Sequence, residues 1–284
     1  AGMKSPSDLL RPKSGLHPSQ SCSLRFSLTS SPAWKANIAT FTSLLSVLTH
    51  LSRFRLGHLR KDLMQRKIVD LSYPLASSTP PFPGDSPVEI EVRTVIPAHL
   101  PPGTAGYMNT SNVRSSLHTG THMDAFFHFF HGGTTIDQIP LAQCIGPALL
   151  IDLSTKQPIE EITADDLAPH RQAIASTPKL ILNTGWAQNW GNDQYFTDYP
   201  PLTRGAARFL VDCGIELIGI DTPSVDYSPN DVHFVLLGNN VLIVENLTNL
   251  DQIGQHLFEF AAIPLKITGR DGSPVRAIAI TEET

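Results

Sequence analysis

Apolar positions from Lys67 onward fall into short runs that are typical of β-strands. The run "KIVDLSYPL" predicts a strand that ends at a proline turn. The stretch "PPFPGDSPVEIEVRTV" predicts a rigid loop followed by a strand in which polar and apolar residues alternate. Strands therefore dominate the first half of this part of the chain.

The second half alternates between strand and helix. "CIGPALLIDLS", "PKLILNTGW" and "IELIGIDTP" are short apolar runs of the buried-strand kind, whereas "LTRGAARFLVDCG" has helical spacing and a terminal glycine. The order strand, helix, strand predicts a layered α/β core. Because no Gly/Ser linker or repeat divides residues 67–284, we expect them to form a single α/β domain with a mostly β core.

Residues 1–66 differ from the rest in being basic, rich in serine and poor in acids. Their apolar run "IATFTSLLSVLTHL" is shorter than the roughly 20 residues that a membrane span needs. It also lies too far from the start for a secretory signal. Three interpretations stay open: an organelle transit peptide, an amphipathic helix over residues 38–59 that docks on the body or a partner, and an extension without function. We expect a cytoplasmic protein, with organelle targeting as the alternative.

Charge and cysteine content exclude some classes of function. Residues 68–284 carry ten Lys or Arg against twenty-four Asp or Glu, and this acidic balance argues against recognition of a phosphate backbone. Cys22, Cys144 and Cys213 are odd in number and widely spaced, so they indicate neither a disulfide framework nor a cysteine zinc site. Such usage is typical of a reducing compartment.

The string "LHTGTHMDAFFHFFHGG", residues 117–133, concentrates the candidate chemistry. An extended strand would hold His118 and His122 about 13 Å apart, too far to share one ion. A turn at Gly120 would bring the two imidazoles together, because glycine accepts backbone conformations that other residues avoid. Asp124, two residues after His122, could then point the same way. Two imidazoles and one carboxylate suit a divalent ion and leave a position open for water.

The same string resembles the H-x-G-T-H-x-D-x-P-x-H signature of the metal-dependent cyclase family, which includes bacterial kynurenine formamidase and isatin hydrolase. The similarity runs from about Lys67 to the C-terminus and includes "DLSYPL", "FPGD", "GGTTIDQIPL", "IGIDTPSVD", "VLIVENLTNL" and "RDGSPVRAIAI". The resemblance implies a swivelling β/β/α-like fold and a homodimer or higher homo-oligomer. It does not extend to residues 1–66.

Position by position, the resemblance implies that His118, His122 and Asp124 bind metal and that His128 transfers protons. His233 and Glu245 match the second pair of ligands in the formamidases, and Glu245 closes the apolar run "VLIVE". The family comparison therefore implies one or two divalent ions, Zn²⁺ or Mn²⁺.

Two positions depart from the family pattern. Phe82 in "FPGD" stands where the formamidases carry a tryptophan that lines the substrate pocket, and Phe126 stands where the family has proline. An aromatic residue at position 82 could stack on a planar aryl substrate or pack on its own proline turn. In "DTPSVD", Asp221, Ser224 and Asp226 could shape the pocket floor or orient the ligating imidazoles.

The sequence therefore predicts a metal-dependent hydrolase of a small amide, either an N-formyl aryl amine or a cyclic amide such as isatin. In this hypothesis a metal-activated water attacks the amide carbonyl, and His128 delivers a proton to the leaving nitrogen. The alternatives are a metal-dependent lyase or cyclase, and a protein that binds metal or a small ligand on the same scaffold without catalysis.

Overall fold

The structure is a computed structural model that describes residues 66–282 except residues 95, 97, 98 and 107. These residues lie within one compact unit, Lys61–Thr284. The predicted transit peptide and the predicted helix at residues 38–59 lie outside the described residues. Among the residues that are described, no helix combines the length and the apolar character needed to cross a bilayer.

Ten strands account for most of the regular structure of the described residues. They are β1 (Arg66–Asp70), β2 (Glu89–Thr94), β3 (Thr110–Arg114), β4 (His122–Asp124), β5 (Ile145–Asp152), β6 (Lys179–Asn183), β7 (Leu217–Ile220), β8 (Leu242–Glu245), β9 (Leu257–Pro264) and β10 (Gly272–Glu282).

The helices of the described residues are short and lie between strands. They are α1 (Leu141–Cys144), α2 (Ala164–Leu167), α3 (Arg171–Ala175), α4 (Arg204–Asp212) and α5 (Asp231–Gly238), together with several single 3₁₀ turns. Thr203 caps α4 by accepting a hydrogen bond from the amide of Ala206, and Gly214 ends the segment with φ of 82°. The predicted helix in "LTRGAARFLVDCG" is confirmed.

Eight of the strands form one sheet that closes on itself. Its order is β1-β10-β4-β8-β7-β6-β5-β9, and β9 also pairs with β10, so that the strands from β10 to β9 form a barrel. The four strands β5, β6, β7 and β8 run parallel, and the remaining pairings of this sheet are antiparallel. The predicted α/β class with a mostly β core is confirmed, and the core is a barrel.

The parallel strands supply the centre of the hydrophobic core. Every residue of β7 and β8 is buried, as are the first four residues of β6. Helices and 3₁₀ turns cover the outer face of these strands, which explains why their sequences are continuously apolar rather than alternating. Two charged residues interrupt these runs: Lys179 at the start of β6, and Glu245 at the end of β8, where a buried carboxylate follows three aliphatic residues.

Strands β2 and β3 form a separate two-stranded hairpin. Ile90 lies directly opposite Val113, and Val92 follows on the same face because side chains alternate along a strand. Ile90 is 39% exposed, and Val92 and Val113 are each 57% exposed. The opposite face carries charged residues that include the ion pair between Arg114 and Glu89. The hairpin thus presents one apolar and one charged face.

Candidate active site

A turn at Gly120 brings the histidine string onto the barrel. Gly120 has φ of 67°, and β4 follows it, placed between β10 and β8. In the β4–β8 pairing His122 lies opposite Glu245. The alternation along β4 points His122 and Asp124 to the same side. The predicted turn at Gly120 is confirmed, and it lets His118 fold back to within 2.8 Å of Asp124.

Two buried carboxylates form the centre of the site. The Nε2 atom of His122 lies 3.4 Å from Asp124 Oδ1 and 3.4 Å from Glu245 Oε2. From the other side, His233 Nε2 lies 3.6 Å from Asp124 Oδ2 and 3.4 Å from Glu245 Oε1. All four side chains are buried. The structure therefore brings together two pairs of residues that are more than one hundred positions apart in the sequence.

Each imidazole is oriented by an oxygen atom outside this pair of carboxylates. His122 Nδ1 donates to the carbonyl of Gly120 at 2.9 Å, and His233 Nδ1 donates to Asp226 Oδ1 at 2.6 Å. The other oxygen of Asp226 accepts from the amide of Val232 at 2.6 Å, which fixes the carboxylate. Because Nδ1 of each ring donates to these acceptors, Nε2 is the nitrogen of both histidines that faces Asp124 and Glu245.

In His118 the two ring nitrogens exchange roles: Nδ1 faces the cluster and Nε2 contacts the outer oxygen. Its Nε2 donates to Asp271 Oδ2 at 2.7 Å, and its Nδ1 lies 2.8 Å from Asp124 Oδ1. Gly272 permits the close approach, because a Cβ at that position would lie 2.8 Å from His118 Cε1. Asp271 is a site residue to which the sequence assigned no role, although it lies in the family-like segment "RDGSPVRAIAI".

The electrostatics of the site favour positive charge. Burial by itself would lower the pKa of His122, but the nearby carboxylates of Asp124 and Glu245 raise it to about 10. For His118, burial is likewise outweighed, mainly by Asp124, and the pKa rises to about 9. The pKa of Asp124 is held well below its ordinary value by His118, His122 and His233, against the effect of burial. The carboxylates are therefore ionised and attract cations.

Two buried polar atoms of the site have no hydrogen-bond partner among the described residues: His122 Nε2 and Asp124 Oδ2. An unsatisfied buried polar group costs about 1–3 kcal/mol, so this pair requires an explanation. The donor atoms of His118, His122 and Asp124 lie within 4.8 Å of one another, and so do those of Asp124, His233 and Glu245. Imidazole nitrogens and carboxylate oxygens at this spacing fit a divalent ion such as Zn²⁺ or Mn²⁺.

His128 lies at the side of this cluster, on the 3₁₀ turn Phe126–His128. Its ring stacks on that of His118 with centroids 4.1 Å apart and an angle of 27°. The side chain is 30% exposed and lines the cavity above the cluster. Burial lowers the pKa of His128 below its ordinary value of 6.5. The imidazole is thus neutral at neutral pH and faces the space that a ligand would occupy.

Phe126 keeps the turn that precedes His128, although the family has proline at this position. Ala125 is extended, with ψ of 161°, which is the conformation that a following proline would require. Phe126 is buried in the core, and Gly133 packs on its backbone so closely that a Cβ would lie 2.7 Å away. Packing therefore constrains the backbone at Phe126, and His128 follows on a 3₁₀ turn.

The cavity above the cluster has a volume of about 280 Å³. Its aromatic walls are Phe82, which is 39% exposed, and Phe129, whose ring stacks on His233 at 4.7 Å. Phe82 is held from behind by an edge contact with Phe196, with centroids 5.7 Å apart. Polar groups complete the lining, contributed by Asp85, Ser224 and Asn230.

The three residues singled out in "DTPSVD", Asp221, Ser224 and Asp226, have different positions. Asp226 orients His233, and Ser224 lines the cavity, as expected. Asp221 does neither, because its carboxylate accepts hydrogen bonds from the amide and hydroxyl of Thr184 at 2.9 and 2.6 Å. These hydrogen bonds link the residues that follow β6 and β7, which are neighbouring parallel strands. Phe129 and Asp85 line the cavity without having been singled out from the sequence.

Comparisons with known proteins agree with this geometry. The Cyclase family model matches residues 69–227, more than half of the chain. A kynurenine formamidase of Bacillus cytotoxicus is 36% identical over 216 residues, which cover 74% of this chain and 95% of that protein.

Solved structures show the same fold. Isatin hydrolase A from Labrenzia aggregata, bound to benzyl benzoate, is 27% identical with a TM-score of 0.67, covering 84% of this chain and 100% of that one. A protein from Bacillus stearothermophilus described as a predicted metal-dependent hydrolase is 26% identical with a TM-score of 0.62, covering 76% and 98%. The chain belongs to the cyclase family.

Proposed function

We propose that the protein is a metal-dependent hydrolase of small amides and that residues 67–284 form the hydrolase domain. The observation that carries this proposal is the pair of buried, partnerless atoms His122 Nε2 and Asp124 Oδ2 below a cavity lined by a neutral histidine. The kynurenine formamidase and isatin hydrolase relatives both act on carbon–nitrogen bonds next to a carbonyl group, as their names imply.

His118, His122, Asp124, His233 and Glu245 would hold one or two divalent ions, Zn²⁺ or Mn²⁺. Asp124 and Glu245 each face both His122 and His233, so either carboxylate could be shared between two ions. A bound ion supplies Lewis-acid chemistry, which activates water and polarises a carbonyl.

His128 would carry the proton transfer. It stands at the cavity wall beside the cluster, it is partly exposed to the cavity, and its ring nitrogens have no hydrogen bond shorter than 3.5 Å within the described residues. A neutral imidazole can take a proton from an attacking water and give it to the leaving nitrogen. No covalent bond between enzyme and substrate is needed for this sequence of steps.

The cavity favours a planar substrate with an aromatic ring. Phe82 and Phe129 present apolar faces on its walls, and an aryl group between them would form stacking or edge contacts. The polar part of the lining consists of the metal-ligand cluster together with His128, Asp85, Ser224 and Asn230, so a substrate would meet aromatic and polar groups in the same cavity. N-formylkynurenine and isatin, the substrates that the relatives' names indicate, both contain an aryl ring beside an amide carbonyl.

The first experiment measures hydrolysis of N-formylkynurenine and of isatin by absorbance, using protein stripped with a chelator and then reconstituted with Zn²⁺ or Mn²⁺. We expect turnover of at least one substrate that depends on the added metal. His122→Ala should lose metal and activity together. Turnover that survives the chelator, or bound metal without hydrolysis of any aryl amide, would refute the proposal. Incorporation of ¹⁸O from labelled water distinguishes hydrolysis from a lyase or cyclase reaction.

We also propose that the chain forms a homodimer or a higher homo-oligomer through the apolar face of the β2–β3 hairpin. A two-stranded hairpin is marginally stable by itself, and Ile90, Val92 and Val113 present a continuous apolar surface. Light scattering after size-exclusion chromatography should report an oligomer that Val92→Lys dissociates. Glu91→Lys, on the opposite face, is the matched control and should leave the assembly intact. A monomeric native protein would contradict this interface.

A further inference from the structure

Asp271 occupies a fixed position at the edge of the site. Asp271 is the last residue of the loop between β9 and β10, and its carbonyl accepts a hydrogen bond from the amide of Ala125 at 2.8 Å. The preceding carbonyl, of Arg270, accepts the amide of Ile136 at 2.9 Å. Backbone hydrogen bonds therefore attach this loop to the segment that carries His128.

The carboxylate of Asp271 determines how His118 is presented. Its Oδ2 accepts the Nε2 proton of His118 at 2.7 Å, while His118 Nδ1 faces Asp124 Oδ1 at 2.8 Å. Without metal both nitrogens can donate to these carboxylates, and when a cation displaces the Nδ1 proton, the hydrogen bond from Nε2 to Asp271 leaves the Nδ1 lone pair for the ion. The other two histidines of the cluster donate from Nδ1 and present Nε2. Of the two ligating histidines within the string "HTGTHMD", His118 is thus the one that an aspartate outside the string orients.

The same carboxylate oxygen is close to the proton-transfer residue. His128 Nδ1 lies 4.0 Å from Asp271 Oδ2, beyond hydrogen-bond distance, and the His128 ring is stacked on His118. Catalytic hydrogen bonds are often long without substrate and shorten when it binds. A small rotation of the His128 ring would let Asp271 accept its Nδ1 proton and leave Nε2 free to face the substrate.

We infer that Asp271 is a positioning residue that presents His118 to the metal through Nδ1 and holds His128 in the tautomer needed for proton transfer. The second half of this inference rests on the proposed hydrolase function, whereas the first half concerns metal binding alone. Such outer partners of ligating histidines typically contribute about 10- to 100-fold to metal affinity or activity.

The loop does not depend on the Asp271 side chain for its shape. Asp137 Oδ1 accepts the amide of Gly269 at 2.9 Å, and the backbone bonds of residues 270 and 271 hold the rest. Asp271→Ala should therefore keep the loop in place while removing the acceptor for His118. Asp137→Asn perturbs the same loop without touching an imidazole, which makes it the matched control.

The test compares Asp271→Ala, Asp271→Asn and Asp137→Asn with the native protein. Zn²⁺ affinity is measured by competition with a chromogenic chelator, and the visible spectrum is recorded after loading with Co²⁺. We expect Asp271→Ala to lose about 10- to 100-fold in Zn²⁺ affinity and to change the Co²⁺ spectrum. Asp271→Asn, which retains an acceptor oxygen, should recover part of the affinity. Asp137→Asn should stay within about twofold of the native value.

Steady-state kinetics over a range of pH give the second readout. For Asp271→Ala saturated with metal, kcat should fall with little change in KM, and the pH profile should shift because His128 loses its fixed tautomer. Native metal affinity and native kcat in Asp271→Ala would overturn the inference, and so would equal losses in Asp137→Asn. If the native protein hydrolyses no amide, the proposed function fails, while the Zn²⁺ and Co²⁺ measurements still decide whether Asp271 positions His118.

Discussion

Gly272→Ala tests whether close packing of β10 sets the position of His118. A Cβ at this residue would lie 2.8 Å from His118 Cε1, 3.1 Å from its Nε2 and 2.9 Å from the carbonyl oxygen of Met123. The backbone of Gly272 is outside the left-handed region, so alanine adds no conformational strain there. The whole effect of the substitution must come from these contacts.

The size of the effect follows from the distances. Nonbonded carbon atoms are optimally separated by about 3.5–4.0 Å, so the His118 ring must retreat by roughly 0.7 Å from its contact at 2.8 Å. The Met123 carbonyl belongs to β4 and cannot move without disturbing the sheet. Overpacking of this kind costs about 1–3 kcal/mol of the free energy of unfolding. A displacement of about 1 Å at a site can cost on the order of 100-fold in function.

The assay combines thermal unfolding of the metal-free protein with Zn²⁺ competition. Gly269→Ala is the control, because Gly269 lies in the same loop with φ of 71° and a Cβ at that position would meet no atom within 4 Å. Its substitution costs about 1–2 kcal/mol of backbone strain without contacting His118. We expect both variants to be destabilised and Gly272→Ala alone to bind Zn²⁺ about 10- to 100-fold more weakly. Equal Zn²⁺ affinities in the two variants would refute the reasoning.

Three further predictions concern separate parts of the protein. His128→Ala should retain metal, measured by elemental analysis, while turnover falls about 10²- to 10⁴-fold; unchanged turnover would exclude its role as proton carrier. Asp226→Asn should weaken Zn²⁺ binding about 10- to 100-fold, because His233 loses its charged partner, and a native affinity would contradict this. The hydrogen bond from Thr135 is the largest of the effects that lower the pKa of Asp137 from 3.8 to about 2. The ionised Asp137 carboxylate therefore contributes its full stabilisation of the fold above about pH 4, and this stabilisation is lost as the pH falls through about 2. Asp137→Asn should reduce this dependence of stability on acid, measured by unfolding curves recorded from about pH 5 to 2.

The parts of the site that local geometry determines were accessible from the sequence. The spacing of His122 and Asp124 places two side chains on one face of a strand, and Gly120 allows the turn that brings His118 back to Asp124. These features depend on a few consecutive residues. The apolar run "VLIVE" likewise indicated the buried strand that carries Glu245.

Features that arise from distant contacts were not accessible. Closure of the barrel depends on β10 pairing with both β4 and β9, and apolar runs do not specify their partners. Asp271 reaches His118 across 153 positions, from a loop with no periodic pattern. The turn at Phe126 is held by packing of Gly133, which only the folded chain reveals.

The eight-stranded sheet joins the two ends of the described chain, since β1 pairs with β10 along the register from Arg66 opposite Glu282 to Asp70 opposite Ile278. Such pairings of high contact order form late in folding. During synthesis, Asp271 emerges 153 residues after His118, the histidine that it contacts. A nascent chain that already carries the complete histidine string therefore lacks part of the site until this loop has been made.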